Sequence, residues 1–273
     1  METKFARLGL TASIAVATVA TQGVAQTGPV THLRFDDAAN LGADTSGNGN
    51  DAGVNAGPGY TAAGIAGGAA DLTGNNGFFN FLGEDDPVEG TLEAAFSYSI
   101  WVNTTQVFGS NGDAAFSGAG IIYADVPGSP PGPAADSIPM ALTGSKLGGF
   151  FGADDTVRSA SNINTGDWVH LVATRDPNGE SRYYVNGVLE DARPAAFSGD
   201  LSARNELVIG GNTSDGRYLS GLIDDFQAYD RVLSPTDIVF LFDNPGGEVV
   251  PEPAAGALLI GGFGLLGLRR RRA

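Results

Sequence analysis

Hydrophobic and polar residues alternate most regularly in Asp167–Asp191, DWVHLVATRDPNGESRYYVNGVLED. Val169, Leu171 and Ala173 fall on one face, and Trp168, His170, Val172 and Thr174 on the other. Successive side chains of a strand point to opposite faces, so Trp168–Arg175 is predicted to be a strand packed on both sides. Asp176-Pro177-Asn178-Gly179 reads as a turn: Asp can bond its own backbone, Pro presets φ, and Gly tolerates the exit. Arg182–Val185 then reaches Asn186-Gly187, a pair that accepts the positive φ of a type I′ turn, and Val188–Glu190 returns. Three consecutive antiparallel strands predict an all-β fold, with Trp168, Val172 and Tyr184 as packing residues.

The same alternation sets Phe96, Tyr98, Ile100 and Val102 against Ser97, Ser99 and Trp101, which predicts a strand at Ala95–Asn103 and a core position for Trp101. Shorter strands are expected at Pro29–Phe35, Gly53–Tyr60, Ala69–Leu82, Ile121–Tyr123, Glu206–Gly210 and Leu219–Tyr229. Met140–Phe151 reads as a hairpin turning at Gly144-Ser145. One helix is expected after Ser234: Ser at N-cap, Pro235 at N1, and Asp237 at N3 in the manner of a capping box. Ile238, Leu241 and Phe242 form its apolar face, and Asn244-Pro245-Gly246-Gly247 ends it. Gly109–Pro139 and Asn212–Arg217 are the candidate rim loops.

Composition narrows the chemistry. The chain has no Cys, which removes disulfides, thiol nucleophiles and Cys-based metal sites, and two His leave little room for His-based zinc or triad chemistry. Lys4, Arg7 and Arg269–Arg272 sit near the ends, so residues 8–268 hold 15 − 6 = 9 basic and 31 − 1 = 30 acidic residues, a net of −21. Such a surface repels nucleic-acid phosphates and suits an exported protein or a cation binder.

The two ends read as separate modules. Met1–Ala25 has a basic start, an apolar stretch at Leu8–Ala20 and small residues at Gly23 and Ala25, the features of a secretory signal peptide cut after Ala25. At the other end Pro251-Glu252-Pro253 precedes Ala254–Leu268, fifteen uncharged residues, and then Arg269, Arg270, Arg271 and Arg272. As a helix those fifteen span about 22 Å, short of the roughly 30 Å of hydrocarbon, though terminal Arg side chains snorkel. Residues 254–273 are thus expected to be a transmembrane helix with its Arg cluster inside. Residues 244–253 form a linker, unstructured from about Asp243, and 26–243 one domain.

Two resemblances cover most of the chain. HLRFDD (His32–Asp37), DTSGNGND (Asp44–Asp51), GGAADLTG (Gly67–Gly74), FSYSIWV (Phe96–Val102), GDWVHLVATRD (Gly166–Asp176), YVNG (Tyr184–Gly187) and GLIDDFQAYDRVLSPTDI (Gly221–Ile238) resemble laminin G-like, concanavalin A-like jelly-roll domains in order and spacing. This implies a two-sheet antiparallel sandwich. The tail resembles a PEP-CTERM sorting signal. It implies export, anchoring in the inner membrane, handling by an exosortase-type membrane protease, and a final place at the cell surface or in extracellular matrix.

Three candidate sites follow. The Asp44–Asp51 loop sets oxygen-bearing residues at alternate positions (Asp44, Ser46, Asn48 and Asn50), and Ca²⁺ takes six to eight oxygens in loose geometry. The family resemblance implies a structural Ca²⁺ near this loop, held by Asp44, Asp224 and Asp36, with Asn48 as a weaker ligand. The opposing reading is a turn whose side chains satisfy backbone amides. Glu84 to Glu89, EDDPVE, spells ExDxxE, the carboxylate spacing of one jelly-roll glycosidase family, in which Glu84 and Glu89 would face a sugar. Pro87 argues against it, because it removes a strand donor. His170 beside Trp168 is expected to be a half-buried, hydrogen-bonded residue of the sandwich. No catalytic residue is assigned. The expected function is a non-catalytic lectin-like or protein-binding module whose partner is a glycan or surface protein. A glycosidase or a purely structural matrix protein are the alternatives, and nucleic acid is excluded.

Overall fold

A computed structural model describes residues 28–83, 85–124, 137–151, 156–194 and 206–250. In chain order these carry β1 (Thr31–Leu33), β2 (Gly53–Asn55), β3 (Gly59–Thr61), β4 (Ala69–Asp71), β5 (Phe78–Leu82) and β6 (Phe96–Asn103). Then follow β7 (Ala119–Ala124), β8 (Ser137–Thr143), β9 (Lys146–Phe151), β10 (Val157–Asn162), β11 (Trp168–Arg175), β12 (Ser181–Val185) and β13 (Val188–Arg193). The last are β14 (Glu206–Ile209), β15 (Gly211–Asn212), β16 (Arg217–Tyr218), β17 (Leu222–Tyr229) and helix α1 (Pro235–Asp243).

The strands form two sheets. The first runs β13-β12-β11-β6-β17-β4-β3, with β1 also paired to β17. The second runs β10-β9-β8-β7-β14-β5-β2, with β15 and β16 beside β7. The described pairings are antiparallel except Tyr218 against Gly120, which is parallel. Between the sheets the predicted inward residues of β6 and β11 meet the apolar face of the second sheet. Tyr98, Ile100, Val102, Leu171 and Phe226 share one buried cluster with Phe79, Phe81, Ile121, Leu142 and Leu207. Phe96 meets Phe151 edge-on at 5.0 Å, an arrangement aromatic pairs favour.

The predicted meander is β11, β12 and β13, and its hairpin turn has the positive φ that Asn186 (50°) and Gly187 (77°) tolerate. Two expected strands divide instead. Gly53–Tyr60 becomes β2 in the second sheet and β3 in the first, and Ala69–Leu82 becomes β4 in the first and β5 in the second. Alternation identifies a face but not a sheet, so a chain that crosses from one sheet to the other leaves no mark in it. The strand β10 and the 3₁₀ turns at Glu89–Glu93 and Ala115–Ser117 are also additions to the sequence reading.

The outer face of the first sheet is covered by α1. Ser234 Oγ accepts the Asp237 N–H at 3.2 Å, and the Asp237 carboxylate accepts the Ser234 N–H at 2.9 Å, the expected capping box. Ile238 and Leu241 pack on Val172, Tyr184, Tyr229 and Leu233, so Val172 and Tyr184 are packing residues beneath the helix and not between the sheets. Trp101 likewise faces outward, stacked on Phe242 at 5.8 Å, while Trp168 is half-buried. Beyond the helix the chain stays on the sheet. Gln227 donates to Gly247 O at 2.8 Å, and Tyr229 OH accepts the Val249 N–H at 3.1 Å. The segment read as an unstructured linker from Asp243 is therefore packed as far as Val249.

Candidate functional site

β6 ends where β17 begins, with Asn103 paired to Leu222. The chain leaving β6 (Asn103–Gln106) and the chain entering β17 (Ser220–Leu222), together with Thr73 and Gly166, enclose a cleft of about 450 Å³. Gly221 permits the close approach: a Cβ there would lie 2.5 Å from Asn103 O. One wall is fixed by side chains that stand in for backbone. Thr104 Oγ1 donates to Ser220 O at 2.6 Å and accepts the Gln106 N–H at 2.9 Å. Gln106 donates through Nε2 to Tyr218 O at 3.2 Å and accepts the Ser220 N–H through Oε1 at 2.9 Å. By contrast, the side chains of Thr73, Asn103, Thr105 and Ser220 make no hydrogen bond to the described residues. The lining is thus a rigid frame carrying unspent neutral donors and acceptors beside one aliphatic side chain, Leu222.

The residues expected to hold calcium do other work. Asp44 Oδ1 accepts the N–H groups of His32 and Ser46, each at 2.9 Å, and Oδ2 accepts Ser46 Oγ–H and Asn50 N–H, also at 2.9 Å. A carboxylate offers about four lone-pair sites, so Asp44 is filled. Burial presses its pKa upward, but these hydrogen bonds outweigh that and hold it below the usual range. Asn48 donates to Pro29 O and Val30 O, at 2.9 and 3.1 Å. Asp224 and Asp36 serve a different loop. Asp224 Oδ2 accepts the N–H groups of Ile65 and Ala66, at 2.8 and 3.2 Å, and Asp36 Oδ1 accepts that of Gly68 at 2.6 Å. Burial pushes the Asp224 carboxyl up to about 7 despite those bonds. Among the described residues no group of three or more His, Asp or Glu side chains is placed to hold a metal ion. The donor set does not fit a shared ion, because each carboxylate closes a backbone turn.

Of the carboxylate pair, only Glu89 falls among the described residues. Glu89 is 0% exposed in its 3₁₀ turn, and Glu84 lies outside the described residues. Burial raises the pKa of Tyr98, and the charge of Glu89 adds to the rise. His170 is fully buried at 1% exposure, not half-buried, with Nε2 2.8 Å from Ser99 Oγ and its ring 4.9 Å from Trp101. The two predicted rim loops do meet: Asn212 and Arg217 both donate to Phe116 O, at 3.3 and 2.6 Å. Residues 125–136 of the first loop lie outside the described residues, as do Ala25, Pro251, Glu252, Pro253 and Arg269–Arg272. Among the described residues no helix is long and apolar enough to cross a membrane.

A second polar cluster was not anticipated. His32, 0% exposed on β1, contacts Asp225 Oδ1 through Nε2 at 2.5 Å and Glu248 Oε1 through Nδ1 at 2.8 Å. Gln227 donates to Asp225 at 2.9 Å, Tyr229 donates to Gln227 at 2.6 Å, and Asp225 Oδ2 accepts the Gly246 N–H at 2.8 Å. The sequence signal was His32, Asp225 and Gln227 standing inside otherwise apolar strands. For the cleft it was the polar run Asn103-Thr104-Thr105-Gln106 directly after the strongest strand.

A family model described as the concanavalin A-like lectin/glucanases superfamily matches residues 82–239. Among curated proteins no sequence matches the chain. Among solved structures, the chain is similar to domain 4 of AbnA, a GH43 extracellular arabinanase from Geobacillus stearothermophilus, in complex with arabinotriose. Identity is 23% and the TM-score 0.57, covering 79% of this chain and 98% of that one. It is also similar to the binding domain of botulinum neurotoxin DC in complex with SialylT (16% identity, TM-score 0.56) and with rat synaptotagmin II (16%, 0.55). Those matches cover 79% of this chain and 51% of the toxin domain, so the chain spans about half that domain's length. At such identities the likeness is one of fold.

Proposed function

We propose that this chain, which belongs to the concanavalin A-like lectin/glucanases superfamily, is a non-catalytic binding module that takes a glycan or a surface protein in the cleft between Asn103–Gln106 and Ser220–Leu222. The observation that carries the reading is the division of labour in that cleft. Thr104 and Gln106 are spent on holding its wall, while Asn103, Thr105, Thr73 and Ser220 keep their side-chain hydrogen-bonding groups for something else. Preorganised polar groups on a fixed frame lower the ordering cost of binding. A hydrolase reading is disfavoured because Glu89 is sealed in the core and none of the described residues lining the cleft is acidic. Neighbouring folds were solved with arabinotriose, SialylT and synaptotagmin II, which supports binding as the common use of this sandwich.

In this reading the leader to Ala25 exports the protein and the tail from Pro251 hands it to an exosortase-type protease at the inner membrane. The domain then works at the cell surface or in matrix. Probing a glycan array and a panel of envelope proteins with the purified protein, alongside an assay for released reducing sugar, tests the function. The expected result is a bound ligand lost in Asn103→Ala and no sugar release. Sugar release, or binding indifferent to Asn103→Ala, would overturn it.

A further inference from the structure

Charge around the cleft is one-sided. None of the described residues lining it is charged. The acidic residues beside it in the chain and the sheet are Asp71, paired with Leu222, and Asp167, which follows Gly166. Over residues 8–268 the chain as a whole carries 9 basic against 30 acidic side chains. A carboxylate or phosphate entering such a cleft gives up hydration, meets no guanidinium or ammonium, and faces like charge. An ammonium group would likewise find no carboxylate inside to replace its water.

A sugar hydroxyl has different needs. It donates one hydrogen bond and accepts two, as do the hydroxyls of Thr73, Thr105 and Ser220, and the Asn103 amide supplies both functions on one group. Leu222 offers an aliphatic surface of the kind the C–H face of a sugar ring can cover. The volume, about 450 Å³, lies within the roughly 300–1,000 Å³ of small-ligand sites. We propose that the cleft selects an uncharged, polyhydroxylated ligand, a segment of neutral oligosaccharide, over uronate, sialate or aminosugar polymers. This rests on the reading of the cleft as the ligand site and adds the ligand's charge class to it. Asn103 and Thr105 are the residues that read it.

Affinity electrophoresis of the full-length protein through gels containing neutral polymers (glucan, arabinan, xylan, mannan), acidic ones (polygalacturonate, alginate) or chitosan tests the selection. Runs at 20 and 500 mM NaCl separate hydrogen bonding from charge. The expected result is retardation by at least one neutral polymer, unchanged by salt and weakened about tenfold in both Asn103→Ala and Thr105→Val, with the near-ultraviolet circular dichroism of both variants intact. Retardation by no neutral polymer overturns the proposal. Salt-sensitive retardation by an acidic polymer or chitosan that both variants abolish overturns the charge class while leaving the cleft as the site. Retardation by any polymer that neither variant changes removes the cleft itself.

Discussion

Strand β17 serves two regions of the same sheet face with opposite polar habits. Toward its C-terminal end Asp225, Gln227 and Tyr229 are bonded to His32, one another and the backbone of Gly246–Val249. At its start Leu222 borders a cleft in which Asn103, Thr105 and Ser220 leave their side chains unbonded among the described residues. A buried polar group left unsatisfied is costly, so the first region must be complete to exist. Groups open to water carry no such penalty, and the second region can keep its capacity for a ligand. The difference separates polar residues that hold the fold from polar residues that use it.

The two histidines show how partners decide the matter once burial is equal. Burial pulls the pKa of His32 down, but hydrogen bonds to Asp225 and Glu248 and their charges more than offset it, and the pKa rises. His170, bonded to Ser99 and tilted against the Trp101 ring, has burial acting nearly alone, countered only by the more distant charge of Asp225, and falls to about 4. The partners of His32 thus favour its cation, and the burial of His170 favours the neutral ring.

The contrast can be broken most forcefully at Asp225. Removing it by Asp225→Ala leaves His32 buried with half its partners, and a loss of about 3–5 kcal/mol is expected in urea unfolding at neutral pH. A loss below about 1 kcal/mol would mean that the network does not hold the strap at Gly246–Val249. Next is the pH dependence of His170. Between its folded pKa of about 4 and the ordinary 6.5 the unfolded chain binds more protons. Stability from this group is therefore present above 6.5 and lost as pH falls toward 4, by roughly 3 kcal/mol. His170→Gln should lack that slope, and parallel profiles for variant and wild type would refute the neutral ring. His32 has the opposite sign: its contribution is full below 6.5 and is lost as pH rises through its raised value.

Smaller effects test the other side of the comparison. Asn103→Ala should shift unfolding free energy by less than about 0.5 kcal/mol while impairing binding, and a loss above 1 kcal/mol would move Asn103 to the structural group. Least of all is expected from a chelator. With the four acceptor sites of Asp44 filled by His32, Ser46 and Asn50, EDTA should leave the melting temperature within about 2 °C, and a larger fall would restore calcium to that loop.

Local physics made part of this protein legible in its sequence. Alternation at Phe96–Asn103 and Trp168–Arg175, the type I′ turn at Asn186-Gly187 and the capping box of Ser234 and Asp237 each depend on residues a few positions apart, and each stands as expected. Tertiary structure decided the rest, because those outcomes depend on partners distant in the chain. His32 and Asp225 are 193 residues apart. Asp44 looked like a cation ligand until the chain around it supplied its donors, and Glu89 looked available until its turn folded into the core. The cleft brings together Thr73, Asn103–Gln106, Gly166 and Ser220–Leu222, four separate segments that alternation assigns to nothing in common. The sequence by itself determined which residues face inward along each strand, since period two is a property of the extended backbone. Which polar residues are spent and which remain free was decided by sheet pairing and packing, which alone place one segment's donors against another's acceptors.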